Sequence, residues 1–221
     1  MQTAASMRNT IENLLDTLLS ADFAILRQPV LSQGSGNKRK ITWPISPSVS
    51  AGSTEFGTIE EYQEQLNSSS YSAILLDGSI LQIQYEFKRK KIVSHRLAFY
   101  PCPFRLEVSL LDEYQIRDVF EASRDLDLLW LRTPVRFDYA PHDTKEDHSA
   151  SHLHFNHEEC RIAVSAPLAP AEFVRFVAKN FYPNEWRKIQ TLKDLPVTRG
   201  KRSIQQNEQI EWHLNRCNDN T

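Results

Sequence analysis

The pattern of apolar residues in this chain predicts an α+β fold: a mostly antiparallel β-meander sheet with helices packed on one face. Three observations carry the prediction. Two apolar runs meet at Asp77-Gly78, a dipeptide that fits the left-handed turn of a tight hairpin. Met7, Ile11, Leu14, Leu15, Leu18 and Leu19 recur at three- and four-residue spacing, which makes one apolar helix face. Phe173, Val174, Phe176, Val177 and Phe181 form a second such stripe behind Pro170, a residue suited to the first helical turn.

In chain order, residues 7–19 open as an amphipathic helix, within an N-terminal lead-in of residues 1–31. Residues 32–57 hold Gly34, Gly36, Gly52 and Gly57 among many serines and read as a flexible loop, Ile41-Thr42-Trp43 excepted. The basic triplet Lys38-Arg39-Lys40 belongs to that loop. Thr58 and Glu61 have capping-box spacing and start a short helix running to about Leu66. Tyr71 to Leu76 forms a strand. After Asp77-Gly78, Leu81, Ile83, Tyr85 and Phe87 alternate with Gln82, Gln84 and Glu86 in the next. Lys88-Arg89-Lys90-Lys91 turns the chain into a third strand, where Val93, His95, Leu97 and Phe99 alternate with Ser94, Arg96 and Ala98. Pro101 and Pro103 end it, because proline brings no N–H to a ladder. Leu110 to Ser123 reads as a helix and Leu126 to Tyr139 as a strand. His152–Phe155 and Arg161–Ser165 make a further strand pair, and Pro183 stops the helix after Pro170. Residues 58–183 are the core, residues 184–221 a polar extension with weak helical character over Lys201–Arg216, and 1–221 a single domain.

Composition excludes several classes of function. Apolar residues make up 40% of the 221 and charged residues 24%, the profile of a soluble globular chain. Lys plus Arg number 26 against 28 Asp plus Glu, a net charge of −2. Nucleic-acid contact must therefore come from a local basic patch, not an overall basic coat. Cys102, Cys160 and Cys217 are odd in number and dispersed, which fits a reducing cytoplasm and no disulfide framework. No apolar run approaches the ~18 residues of a membrane span, and the N-terminus lacks the pattern of a signal peptide. No P-loop, G-x-G-x-x-G, G-x-S-x-G or H-E-x-x-H is present, so no cofactor is assigned.

Five of the seven histidines fall within sixteen residues: His142, His148, His152, His154 and His157. On strands, Arg136 and Asp138 share one face, and so do His152 and His154; Arg161 follows after a short turn. Imidazole titrates near neutrality and can take or give a proton. Two imidazoles beside an arginine suit metal-free RNA cleavage: one deprotonates a 2′-hydroxyl, the other protonates the leaving oxygen, and arginine steadies the phosphorane. Imidazoles with a carboxylate suit a metal equally well. A solvated His-rich turn is the plainer reading of the same residues. Cys160 beside His152 offers a thiolate nucleophile, with a small buried apolar residue as the alternative. His95, alone on its strand, reads as structural. Lys88, Arg89, Lys90 and Lys91 form a tip able to hold backbone phosphates.

The runs Arg136-Phe-Asp138-Tyr-Ala-Pro-His142, Ser151-His152-Leu-His154-Phe, Cys160-Arg161-Ile-Ala-Val-Ser165-Ala-Pro and Asn180-Phe-Tyr-Pro183 resemble the prokaryotic family known as domain of unknown function 2290. That resemblance spans most of the chain and implies no established activity. A looser one links Asp77-Gly78, Arg136/Asp138, Pro141-His142 and His152/His154 to TumE-like toxins of toxin–antitoxin modules, which lack this chain's extra N-terminal helix, Ser/Gly loop and polar tail. It implies a toxin-like or phage-defence protein, cytoplasmic, acting on RNA or DNA, with an antitoxin or defence subunit as partner. The leading expectation is a metal-independent ribonuclease. His152 and His154 transfer protons, Asp138 orients an imidazole and His142 is the spare candidate. Arg136, Arg161 and Lys88–Lys91 hold phosphate, and no metal is assigned. The rival expectation is a non-catalytic accessory subunit that docks a partner on the apolar face of its N-terminal helix.

Overall fold

A computed structural model describes residues 3–44, 57–104, 129–144, 149–155, 157–198 and 200–215. The predicted helix at 110–123, residues 126–128, His148 and Cys217 lie outside them; of the strand expected over 126–139, the described part is strand only at Val135–Tyr139. Among the described residues ten strands form one sheet: β1 (Ala24–Arg27), β2 (Leu31–Gln33), β3 (Lys38–Thr42), β4 (Ala73–Leu75), β5 (Ile80–Lys88), β6 (Lys91–Tyr100), β7 (Val135–Tyr139), β8 (Ser151–Phe155), β9 (His157–Val164) and β10 (His213–Leu214). The spatial order is β1-β4-β5-β6-β7-β8-β9-β10, so β4 to β9 are a meander of consecutive neighbours. Every pairing is antiparallel except β9 with β10. β5 is long enough to take β4 alongside Ile80-Leu81 and β3 alongside Tyr85–Lys88.

The Asp77-Gly78 turn forms as its residues dictate. Gly78 takes φ 84°, the Ser79 N–H donates to Asp77 Oδ1, and the Leu75 N–H donates to the Ser79 carbonyl. Asp77 also accepts from the Tyr182 hydroxyl at 2.7 Å and from Arg132 at 2.8 Å, which pins the turn to distant parts of the chain. At the next turn Arg89 sits at φ 58°, in the basic run where the reversal is expected.

Strand alternation sends Leu81, Ile83, Tyr85, Phe87, Leu97, Phe99, Val135, Phe137 and Leu153 into one core. Helices α1 (Ala4–Ser20) and α3 (Pro170–Phe181) cover it. α1 is capped by Thr3, whose hydroxyl accepts from the Ser6 N–H, and buries Met7, Ile11, Leu14, Leu15 and Leu18. This corrects the docking expectation: the apolar face of the first helix is consumed by the chain's own core and offers no partner surface. His95 is also structural in place, buried on β6 and accepting from the Leu168 N–H at 3.2 Å.

The opposite sheet face is divided. At one end α2 (Ile59–Asn67), capped by Thr58, packs Tyr62 and Leu66 against Ile74, Ile80, Ala98 and Tyr100. The rest of that face stays polar. The segment read as a loop after Ser32 departs from expectation, because Leu31–Gln33 and Lys38–Thr42 form a hairpin on the edge of β5. Ile41, fully buried, anchors β3 in the core, and a single apolar anchor in a basic strand leaves little periodicity to read. The helical character expected over 201–216 is not found either; the described part holds turns and then β10, parallel to β9. Pro183 ends α3 but opens α4 (Pro183–Lys188), followed by α5 (Gln190–Lys193). No described helix is long and apolar enough to cross a membrane.

Candidate functional site

Register places the polar side chains in two rows across the sheet. Gln84, Arg96, Asp138, His152 and Ala163 are successive cross-strand partners from β5 to β9. Gln82, Ala98, Arg136, His154 and Arg161 make the adjacent row. Directly opposed residues stand about 4.5–5.5 Å apart at Cα, so the His-x-His of β8 meets the Arg-x-Asp of β7 by backbone geometry alone. The two imidazoles and Arg136 are buried, each at 6% exposure or less.

The central contact is between the imidazoles. His152 Nε2 lies 3.0 Å from His154 Nε2, and His152 Nδ1 lies 2.8 Å from the Ser149 carbonyl oxygen. A carbonyl only accepts, so Nδ1 of His152 carries the hydrogen and donates. Neutral His152 then presents a lone pair at Nε2 toward His154 Nε2, whose hydrogen is shared between that lone pair and Asp138 Oδ2. That same Nε2 stands 3.4 Å from Asp138 Oδ2.

Asp138 is the hub of the charges. Arg136 Nε donates to its Oδ2 at 2.9 Å and Arg96 Nε approaches Oδ1 at 3.4 Å. Burial works against ionisation here, but the His154 hydrogen bond and the Arg136 and Arg96 charges outweigh it and hold the carboxyl well below the usual carboxylate range. Arg136 also faces Glu158 at 3.7 Å. Behind Arg136 lies Glu61 of α2, which accepts from the Tyr100 hydroxyl at 3.1 Å and the Gly57 N–H at 2.7 Å. Burial raises the Glu61 carboxyl, and those bonds with the Arg136 charge only partly offset it.

Arg96, Arg136, Asp138, His152, His154 and Arg161 line a pocket of about 430 Å³, together with the acidic Glu86, Asp143 and Glu158. Arg161, on the exposed side of β9, also lines an adjoining pocket of about 370 Å³ with Ser149, Glu208 and Trp212. Trp212 is 89% exposed. A third pocket, about 490 Å³, is lined by Lys38, Arg39, Lys40, Lys88 and His142 and shares Glu86 with the first.

Of the expected site residues, Asp138, His152, His154, Arg136 and Arg161 converge. His142 does not: the turn after β7 carries it to the basic pocket at the β3–β5 edge. Lys88 lines that pocket too, in register with Lys38, and the Arg89 N–H donates to the Asn37 carbonyl. The Lys88–Lys91 tip therefore joins the Lys38–Lys40 triplet and His142 instead of the His152–His154 pair. Arg136 points at Asp138 and Glu158, with its side chain only 7% exposed, so it positions the carboxylate. Cys160 is exposed and absent from the pocket lining, so its thiol does not face the histidines. Sequence reading missed Arg96, Glu61 and Trp212. The alternation of β6 did place Arg96 on the polar face, but its pairing with β7, a strand distant in sequence, had no local signal.

The family model described as "Uncharacterized conserved protein (DUF2290)" matches residues 24–216. No curated protein and no solved structure matches the chain.

Proposed function

We propose that this chain, which belongs to the DUF2290 family, binds and cleaves the phosphodiester backbone of RNA in a toxin-like or phage-defence role. The observation that carries the reading is the convergence of Arg96, Arg136 and Arg161 on the Asp138–His154–His152 unit in one pocket. The pocket also holds Glu86, Asp143 and Glu158 beside Asp138, so an anionic ester is held by direct contact with the arginine guanidiniums and not by an overall positive field. Trp212, exposed across the wall shared through Arg161, supplies a face on which a base can stack.

The contact between the imidazoles changes the expected chemistry. At 3.0 Å they share one hydrogen and leave no room for a phosphate between them. They act as one unit on one side of the ester: their mutual hydrogen bond opens, the freed Nε2 lone pair takes the proton of the attacking 2′-hydroxyl, and the departing 5′ oxygen takes its proton from water on the opposite side. Arg96 and Arg161 then face the charge that develops on the phosphoryl oxygens. The test is growth of a bacterial host on inducing wild type, a His152→Ala/His154→Ala double variant and Arg161→Glu, with total RNA followed over time. The reading expects growth arrest with RNA loss from wild type, and neither from the variants, both soluble and folded by circular dichroism. Full toxicity of both variants, or wild-type expression without effect on RNA, contradicts it.

A further inference from the structure

We infer that Asp138, His152 and His154 form a binding site for one divalent first-row transition ion of the Zn²⁺, Mn²⁺ or Fe²⁺ type. The ligand atoms already stand at the required spacing. Such ions hold imidazole nitrogen and carboxylate oxygen at about 2.0–2.2 Å, so neighbouring donors on one ion lie about 2.8–3.6 Å apart in octahedral or tetrahedral geometry. Here His152 Nε2 and His154 Nε2 are 3.0 Å apart and His154 Nε2 and Asp138 Oδ2 are 3.4 Å apart. All three donor atoms fall within 4.8 Å of one another.

The surroundings match what a metal site needs beyond its ligands. Metal-bound histidine characteristically donates its other ring N–H to a carbonyl or carboxylate, which fixes the tautomer. His152 does so, from Nδ1 to the Ser149 carbonyl at 2.8 Å. A ligating carboxylate is in turn held by a hydrogen bond, and Arg136 Nε supplies it at 2.9 Å. Oδ2 has two lone pairs, one for Arg136 and one for the ion. The donors sit on adjacent paired strands, β7 and β8, which hold side chains more precisely than a loop does. Their cluster opens on the pocket of about 430 Å³, leaving coordination positions for water or substrate oxygen, as in a catalytic site with three protein ligands.

Donor chemistry narrows the ion. Two nitrogens and one oxygen disfavour Mg²⁺ and Ca²⁺, which take oxygen shells, and the lack of a thiolate among the three donors disfavours Cu⁺. The arginines around Asp138 repel a cation, so the ion's affinity rises when an anion bridges the pocket. The site goes beyond the RNA reading: an ion held here would take His152 and His154 as ligands and would supply the nucleophile activation that the metal-free reading gives to the imidazoles.

The experiment uses untagged full-length protein, stripped with chelator and titrated with Co²⁺ and Zn²⁺ without nucleic acid. Expected are one ion per chain by elemental analysis, a visible Co²⁺ ligand-field spectrum of a nitrogen–oxygen site and a higher melting temperature with Zn²⁺. His154→Gln and, independently, Asp138→Asn should each weaken binding at least about tenfold. His142→Ala and His157→Ala, outside the cluster, should leave it unchanged. Substoichiometric binding by wild type, or loss only in His142→Ala or His157→Ala, overturns the inference. Binding of RNA by the stripped protein is read separately, so failure of the metal site and failure of the RNA reading give different results.

Discussion

Replacing Asp138 by alanine tests whether the site is built around a buried ion pair. The change removes the acceptor of Arg136 Nε at 2.9 Å and leaves a guanidinium whose side chain is 7% exposed beside Glu158, which is 3.7 Å away and itself 61% exposed, and near the charge of Glu61. At an effective dielectric of about 20, the gross attraction at the Arg136–Asp138 distance is about 6 kcal/mol. Desolvation of the carboxylate offsets part of that. The Arg96 contact adds little because its side chain is 51% exposed and solvent screens it. Removing one partner of a buried pair typically costs about 3–5 kcal/mol, chiefly because the other charge stays buried. The expected loss is therefore about 3 kcal/mol, read by urea unfolding of metal-stripped protein with an unchanged m-value. Adding Arg136→Met to Asp138→Ala should recover stability, since the stranded charge is gone. A loss below about 1 kcal/mol, or a double variant whose cost is the sum of the singles, refutes the reasoning.

The same carboxyl predicts an acid limb. Its folded-state pKa lies below the unfolded value of about 3.9, so the stability it contributes is complete above that value and is lost as pH falls below it; Asp138→Ala should show a shallower loss in acid unfolding of stripped protein. Phe173, fully buried on the sheet-facing side of α3 with its ring edge-on to Phe137, should cost about 3–5 kcal/mol as Phe173→Ala in urea unfolding. Gly34 takes φ 111° and an added Cβ would stand 2.7 Å from the Lys38 carbonyl oxygen. Gly34→Ala should therefore destabilise the chain by about 1 kcal/mol or more, with faster amide exchange confined to β2 and β3.

The meander was legible because its strands alternate cleanly. Leu81 to Phe87 and Val93 to Phe99 show the two-residue period, and Asp77-Gly78 fixes the turn between them. The α1 and α3 stripes were legible for the equivalent helical reason. β3 was not, because Lys38, Arg39 and Lys40 carry no alternation and the strand is set by pairing with β5. β10 is two residues held by a parallel partner far away in sequence. At the site, period-two spacing correctly put Arg136 with Asp138 and His152 with His154 on common faces. What spacing cannot supply is register between strands. Register joined those two pairs, brought Arg96 and Arg161 to them and sent His142 to another pocket. It also decided that the imidazoles touch each other, the feature on which the chemistry turns.

The most direct test of a nucleic-acid site on this face is binding of a labelled single-stranded oligoribonucleotide across a range of salt, followed by fluorescence anisotropy. Wild type is compared with Arg96→Ala/Arg161→Ala and with Trp212→Ala, surface changes that leave the core intact. Each phosphate contact contributes about −0.7 to the slope of log K against log salt for a single strand, so the double arginine variant should flatten it by about 1.4. Trp212→Ala should cost about 1–3 kcal/mol of affinity while leaving the slope unchanged. Salt-independent or absent binding by wild type, or identical curves for all three proteins, would contradict the account.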